Sequence, residues 1–388
     1  MALPSSQADA RHDTESARVR ELVLESLHQQ GFTVRDRRLL PPELKAKDEA
    51  RNLHASAVAR ARTEARPSLV RKEETLLRFI ARGDEVVPER IQPCLVEVKR
   101  RSMEEALFYY ARLHWSIPTS RGYGRRLRFL VFDEANGKLM GLIGMCDPVY
   151  SLQARDSWIG WAPAARQSRL NLVMDLFVLG SVPPYSALLA GKLMSSLAAS
   201  NEVREIFAKK YGGRRSVISA VDIAGDLALL TTVSALGRSS QYNRLTFEGH
   251  PLFLAVGATK GTGEIQFSNG VYETMREHAL KWCTPSARHA RWGDGFRNRR
   301  EVVKKCLTDV GLSSDWVTHG IHREIFVVPT ATNTRRVLLG LDETLDYVDR
   351  PTDRLIDWYR RRWLLPRAAR DATFSTFDPD TYRLWTAR

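Results

Sequence analysis

The stretch Leu152-Gln153-Ala154-Arg155-Asp156-Ser157-Trp158-Ile159-Gly160-Trp161 constrains the fold more than any other part of the chain. An Arg-Asp dipeptide is costly to bury unless its charges pair, and two Trp this close make a rigid aromatic platform. Upstream, residues 126–132 and 138–145 alternate or run apolar around Asn136-Gly137, a strong hairpin turn signal. Downstream, residues 170–179 form a long apolar run, rich in β-branched and aromatic residues and closed by Gly180, which reads as a buried strand. The chain must therefore place a hairpin, a charged aromatic segment and a buried strand next to one another.

Strand and helix patterns alternate on both sides of this centre. Residues 93–98 read as a strand and 103–113 as a helix. After Pro183-Pro184, residues 187–199 and 202–211 read as helices, the second stopped by Gly212-Gly213. Further strands are expected at 216–223, 227–233, 252–256 and 325–328, with helices at 271–282 and 353–363. The first 90 residues read as helical. Val19, Leu22, Val23 and Leu27 recur at helical spacing, Pro41-Pro42 opens a charged helix over 43–64, and Pro67 is expected to break it before another at 70–82. The expected architecture is mixed α/β (α+β): a helical N-terminal region over 1–90, a core over 91–283, and a basic C-terminal region over 284–388 that completes it.

Net charge is +14, from 59 Lys and Arg against 45 Asp and Glu, so an acidic partner is favoured and DNA or RNA is the default. Arg288, Arg291, Arg297, Arg299, Arg300, Lys304 and Lys305 concentrate that charge and are candidate nucleic-acid contacts, with a second arginine cluster over 354–370. The four Cys include no Cys-x-x-Cys pair and read as reduced thiols. Cys283, Cys306, His319 and His322 lack the spacing of a zinc site, so no metal is expected. No apolar run reaches the roughly 18 residues of a membrane span, and residues 1–15 carry no apolar signal core. A cytoplasmic protein with no membrane partner is expected.

Chemistry-bearing residues fall in three places. Residues 234–244 follow an apolar strand, and strand C-termini are where α/β folds hold ligands. Arg238, Ser239, Ser240, Asn243 and Arg244 there suit phosphate oxygens, and Tyr242 suits proton donation or base stacking. The same residues also suit a surface turn. Asp175 is the acidic residue of the apolar 170–179 strand; buried, it would have a raised pKa, as a general base needs, while pairing with an Arg such as Arg155 would make it structural. Arg155, Asp156 and Trp158 are placed beside this pocket. Gly257-Ala258-Thr259-Lys260-Gly261-Thr262-Gly263 permits an anion nest or a tight turn and is not a Walker loop.

Taken in order, several segments resemble the DruA family of Druantia anti-phage defence systems, to which some transposase-associated domains are related. They are Leu127-Arg128-Phe129-Leu130-Val131-Phe132-Asp133, Gly141-Leu142-Ile143-Gly144, Asp147-Pro148, the Arg155–Trp161 segment, Gly191-Lys192-Leu193, Ser234 to Leu245 and Gly257 to Gly263. The resemblance spans roughly residues 70–370. It implies a defence component with other defence proteins, including a large helicase, as partners. The central order also resembles the acetyltransferase-like (GNAT-like) fold, whose pyrophosphate is held at a helix N-terminus. That likeness implies a cradle at Ala190-Gly191-Lys192-Leu193 for acyl-coenzyme A, with Asp175 and Tyr242 as catalytic groups. Leu189 stands where that motif has its first Gly, which weakens the cofactor assignment, and Ala190-Gly191 equally suits tight helix–strand packing. Three readings follow: nucleic-acid binding through a GNAT-like domain, an active acyltransferase modifying a nucleobase or protein, and a transposition accessory that binds DNA.

Overall fold

The computed structural model describes residues 5–43, 47–119, 122–215, 222–223, 225–289 and 293–385. The chain divides into two compact units that interleave in sequence. The smaller takes residues 1–61, 116–118 and 259–323, and the larger 62–115, 119–258 and 324–388.

The larger unit is built on a seven-stranded mixed sheet. Its strands in chain order are β1 (Pro93–Glu97), β2 (Arg126–Asp133), β3 (Lys138–Cys146), β4 (Val173–Ser181), β5 (Leu229–Val233), β6 (Leu254–Ala258) and β7 (Glu324–Pro329), and they lie in the order β6-β7-β5-β4-β3-β2-β1. The expected hairpin is the β2–β3 pair, with Gly137 at φ 70° in its turn. Every pairing is antiparallel except β4–β5, which run parallel only from Val173 opposite Leu229 to Asp175 opposite Thr231. Beside that junction Gly144 faces Val178 while Met145 faces Leu176, so Phe177 forms a bulge in β4.

Both faces of the sheet are covered, which explains why β2 and β3 are nearly continuous apolar runs rather than alternating ones. Leu127, Phe129 and Val131 pack with Leu193, Met194 and Leu197 of the Ala190–Leu197 helix and with Val203 and Phe207 of the Asn201–Tyr211 helix. Ile159, Leu172, Val173, Leu229, Val327 and Leu338 form a second cluster. The C-terminal segment is tied in by the buried Glu73 carboxylate, which accepts from the Tyr110 hydroxyl at 2.8 Å and from the Leu384 and Trp385 amides at 2.7 and 3.3 Å.

The smaller unit packs the helices Ser5–Gln29, Val271–Trp282 and Arg299–Asp309 around Val19, Val23, Leu27, Met275, Val303 and Leu307. The charged helix expected at 43–64 is two, Lys47–Asn52 and Ala55–Leu69. Pro67 lies inside the second rather than at its end, and the helix runs only two residues further before passing into the 3₁₀ turn Val70–Lys72. In the larger unit, the helix expected at 70–82 shrinks to Glu73–Leu77 with a 3₁₀ turn before it. The strand expected at 216–223 falls mostly outside the described residues; Asp222–Ile223 pairs with Arg214–Arg215. Residues Gln153–Ile159 form a helix ended by Gly160 at φ 92°, and Pro163 opens the next, Pro163–Arg169.

Gly141 on β3 sits where a Cβ would meet the Gly180 carbonyl oxygen at 2.6 Å and the Met194 sulfur at 2.5 Å. Met194 can turn aside, but the β4 backbone cannot. Gly141→Ala should therefore destabilise the protein by about 1–3 kcal/mol, the usual cost of overpacking. Urea unfolding of parent and variant measures it, and an unchanged midpoint would mean that β3 and β4 are not held this close.

Candidate functional site

Asp175 stands third in β4, at the short parallel junction, and its carboxylate accepts from the Thr231 hydroxyl of β5 and from the Val149 amide at 3.0 Å. Arg155 is fully buried. It forms an ion pair with Asp156 at 2.7 Å and donates to the Val149 and Tyr150 carbonyls at 3.0 and 3.3 Å. Asp156 in turn accepts from the Leu152 amide and from Arg166, both at 3.1 Å. Arg155 also lies over the Trp161 ring, whose indole donates to the Leu338 carbonyl at 2.6 Å. Trp158 packs into the second cluster beneath Arg335. The Arg155–Trp161 segment is thus a self-satisfied unit against the start of β4. Burial pushes the Asp175 carboxyl up to about 6, partly offset by the Val149 amide and by Arg155.

The loop after β5 does not meet Asp175; it closes on the N-terminus of the Ala190–Leu197 helix. Gln241 donates to the Gly191 carbonyl at 2.9 Å and to the Ser195 hydroxyl at 2.7 Å. Its own oxygen lies 2.8 Å from where a Gly191 Cβ would stand. Tyr242 stacks on Phe253 with ring centroids 4.7 Å apart and meets Phe326 edge-on, and burial pushes its hydroxyl up to about 12. Ser239 and Asn243 are held by Glu324, which accepts from the Ser239 amide at 2.9 Å and from the Asn243 side chain at 2.8 Å. Arg238, Ser240 and Arg244 remain exposed.

This geometry tests the pyrophosphate cradle. The amides of Leu188, Leu189, Ala190 and Lys192 already donate to the Tyr185, Ser186 and Leu189 carbonyls. Ala190, Gly191 and Leu193 are buried, and Lys192 lies over the Trp363 ring at 5.2 Å with its pKa lowered by burial, then by Arg244 and Arg362. A helix N-terminus binds an anion through free amides, and here the Ala190 and Lys192 amides already serve the preceding turn while Gln241 packs on the helix flank at Gly191 and Ser195. The residues do not fit an acyl-coenzyme A pyrophosphate. The sequence signal missed was Gln241, whose partner lies 50 residues away. The glycine-rich loop is likewise closed: Gly261 packs on the Gly320 backbone and its carbonyl accepts from the His319 and Gly320 amides.

In the smaller unit, the basic residues predicted to touch nucleic acid divide. Asn298 caps the Arg299–Asp309 helix by accepting from the Glu301 amide at 3.0 Å, which sets Arg300, Lys304 and Thr308 at four-residue spacing along one face. An open groove of about 780 Å³ is lined by Arg297, Arg300, Lys304 and Lys305 together with Ser286 and Thr308. The carboxylates there are engaged. Glu301 accepts from the Ser286 and Arg297 amides, and Asp309 from His12 at 2.9 Å and His278 at 2.7 Å. Arg299 turns away, over the Tyr272 ring at 3.7 Å, and burial lowers its pKa. Arg288 lies on the strand Ala287–His289, and Arg291 lies outside the described residues. His12, His278 and Asp309 bring three ligand-type atoms within 4.8 Å of one another, the only such His/Cys/Asp/Glu cluster among the described residues. Cys283, Cys306, His319 and His322 form none there.

The arginines of 354–370 belong to the larger unit and mostly serve it. Arg354 pairs with Glu248 and Asp349, Arg360 donates to the Ile91 carbonyl, and Arg367 donates to the Ala187 carbonyl and pairs with Asp371. No helix among the described residues is long and apolar enough to cross a membrane.

A family model described as Druantia protein DruA matches residues 44–340. The curated Druantia protein DruA of Escherichia coli (strain UMEA 4076-1) is 38% identical over 373 residues, covering 96% of this chain and 90% of that protein. No solved structure matches the chain.

Asp175 gives a pH signature. Its folded-state pKa stands above the unfolded value of about 4, so the native state binds the proton more tightly. The penalty of burying the ionised carboxylate is absent below pH ~4, grows as the pH rises and is complete above the folded pKa. Asp175→Asn should match the parent near pH ~4 and exceed it by about 1–3 kcal/mol near pH ~7.5. Urea unfolding at the two pH values checks this; a constant difference between the proteins would mean that Asp175 does not titrate in this window.

Proposed function

Because the chain belongs to the DruA family of Druantia anti-phage defence proteins, we propose that it acts in that defence by binding nucleic acid through the groove of its smaller unit. One observation carries the reading. Arg297, Arg300, Lys304 and Lys305 share one open groove, and among the described residues none of them is ion-paired. Unpaired cations at helical spacing beside hydroxyls match the spaced phosphates of a nucleic-acid backbone, which position a protein without reading sequence. Other proteins of the system, a large helicase among them, are the partners this reading calls for.

The larger unit is read as an acetyltransferase-like frame used without its cofactor. The short parallel β4–β5 contact, the bulge at Phe177 and the following loop and helix support that reading, while the engaged Ala190 and Lys192 amides and the buried Ala190, Gly191 and Leu193 speak against a bound pyrophosphate. Binding is therefore favoured over acyl transfer.

The test is fluorescence anisotropy with duplex DNA over a salt series from about 50 to about 200 mM. Each phosphate contact contributes roughly −0.9 to the log–log salt slope on duplex DNA. Replacing Arg297, Arg300, Lys304 and Lys305 together by Ala should reduce the slope by about 3.6 units and abolish protection against phage. These side chains lack ion pairs, so thermal melting should change little. A variant that binds with the parent's slope would remove the groove from the reading.

A further inference from the structure

A second concentration of charge lies wholly within the larger unit, at the edge of the sheet. The end of β1, the start of β2 and the end of the Asn201–Tyr211 helix enclose a cleft of about 690 Å³. Eight of its fourteen lining residues are Lys or Arg and two are Glu. Three of the cations are already engaged. Arg128 is buried and bonded to Glu105 at 2.8 Å and to the Tyr109 hydroxyl at 2.7 Å. Lys210 pairs with Glu97 at 2.6 Å, and Arg125 pairs with Asp147 at 2.6 Å. Both glutamates of the cleft are thereby neutralised. The remaining five cations, Lys99, Arg100, Arg101, Arg126 and Arg214, are exposed and belong to no ion pair among the described residues.

These five come from three separate segments, and the fold holds two of those segments firmly. Ser102 accepts from the Glu105 amide at 3.2 Å while Glu105 accepts from the Arg101 amide at 2.7 Å, a reciprocal cap that fixes the 99–101 loop with Arg101 at φ 61°. The Tyr211 hydroxyl accepts from the Arg126 amide at 2.8 Å and donates to its carbonyl at 2.7 Å, joining the helix end to the edge of β2. Unpaired like charges repel, and gathering them on a fixed frame is favourable once an anion with several charges lies between them. The two tyrosine rings are not platforms for bases. Tyr109 lies beneath Arg112 and Arg128, and Tyr211 beneath Arg125, Lys210 and Arg214. A ligand would meet guanidinium and ammonium groups, which grip phosphate oxygens. A cleft of this volume exceeds what one phosphate fills.

We propose that this cleft binds a run of consecutive phosphates, supplied by a single-stranded nucleic-acid backbone or by a nucleotide polyphosphate, and reads no base. The inference stands apart from the groove of the smaller unit, since no residue is shared.

The full-length protein is titrated with labelled short oligothymidylate and, separately, with sodium tripolyphosphate by calorimetry. The Arg100→Ala/Arg126→Ala/Arg214→Ala variant should lose at least about tenfold in affinity for whichever probe binds, and about 2 units of salt slope with the oligonucleotide, at roughly 0.7 per single-strand contact. The quadruple Ala variant of the smaller unit's groove should bind that probe in the cleft as the parent does, which separates the two sites. Binding of oligothymidylate that tripolyphosphate cannot displace points to a strand backbone; tight binding of tripolyphosphate alone points to a nucleotide. The Lys-for-Arg triple variant keeps the charge and should retain most of the affinity, whatever small change in folding the Ala variant brings. Parent-like binding of both probes by a folded Ala triple variant, or no cleft-dependent binding of either probe, overturns the proposal.

Discussion

The larger unit depends on a fully buried guanidinium that carries its own counter-charge. Arg155 sits at no exposure, paired with the adjacent Asp156, and its remaining donors reach the Val149 and Tyr150 carbonyls. A buried charge is tolerated only when its partners are complete, and removing one partner of such a pair commonly costs about 3–5 kcal/mol. The same loop donates its Val149 amide to Asp175, so one arginine fixes the backbone that in turn holds the β4 carboxylate. Arg125 repeats the device nearby, bonding Asp147 and the Asn171 and Val173 carbonyls. Carbonyls at a strand entrance have no ladder partner, and here arginines supply the missing donors. The three-residue parallel contact between β4 and β5 is short because it begins at this anchored point and Phe177 bulges soon after.

Arginine content therefore says less about partners than net charge suggests. Arg125, Arg128, Arg155, Arg354, Arg360 and Arg367 are consumed by carboxylates and carbonyls of their own unit. What composition cannot separate is the engaged arginine from the idle one. Two groups of idle cations share a hollow, the groove of the smaller unit and the cleft of the larger, and only the first was signalled by a dense run in sequence. The cleft escaped notice because its cations lie near positions 100, 126 and 214, brought together by β1–β2 pairing and by the Tyr211 hydroxyl.

Local signals carried most of the element order. The Asn136-Gly137 hairpin, the β4 strand and the Val271–Trp282 helix stand where periodicity and turn chemistry put them. The Gln153–Ile159 helix was not legible, because Arg155, Asp156 and two Trp within one short span obscure the period, and the helix is stabilised by side-chain bonds to the preceding loop. Asp175 is legible as the one carboxylate of an apolar strand, but its partners are not: the Thr231 hydroxyl and the Val149 amide hold it, while Arg155, the partner the sequence offers, pairs with Asp156 instead. Gln241 and Glu324 are not legible either, since a glutamine and a glutamate in sequence look like ordinary surface residues until the fold brings them against Gly191 and Ser239.

The closed helix N-terminus and the two basic hollows belong to one physical argument. An anion site made from helix amides is selective in shape but needs free amides in the first turn, and the Ala190 and Lys192 amides already serve the preceding turn here. A site made from idle arginines and lysines needs no such amides, accepts phosphates at several spacings, and discriminates little among bases. In the larger unit, the mixed seven-stranded sheet is thus combined with a helix end devoted to packing, while five cationic side chains at the sheet edge belong to no ion pair among the described residues. Recognition of that kind is graded by salt and by the number of phosphates in reach rather than by sequence. On the proposed reading, any selectivity for foreign nucleic acid comes from features other than these two basic surfaces, such as the form of the strand.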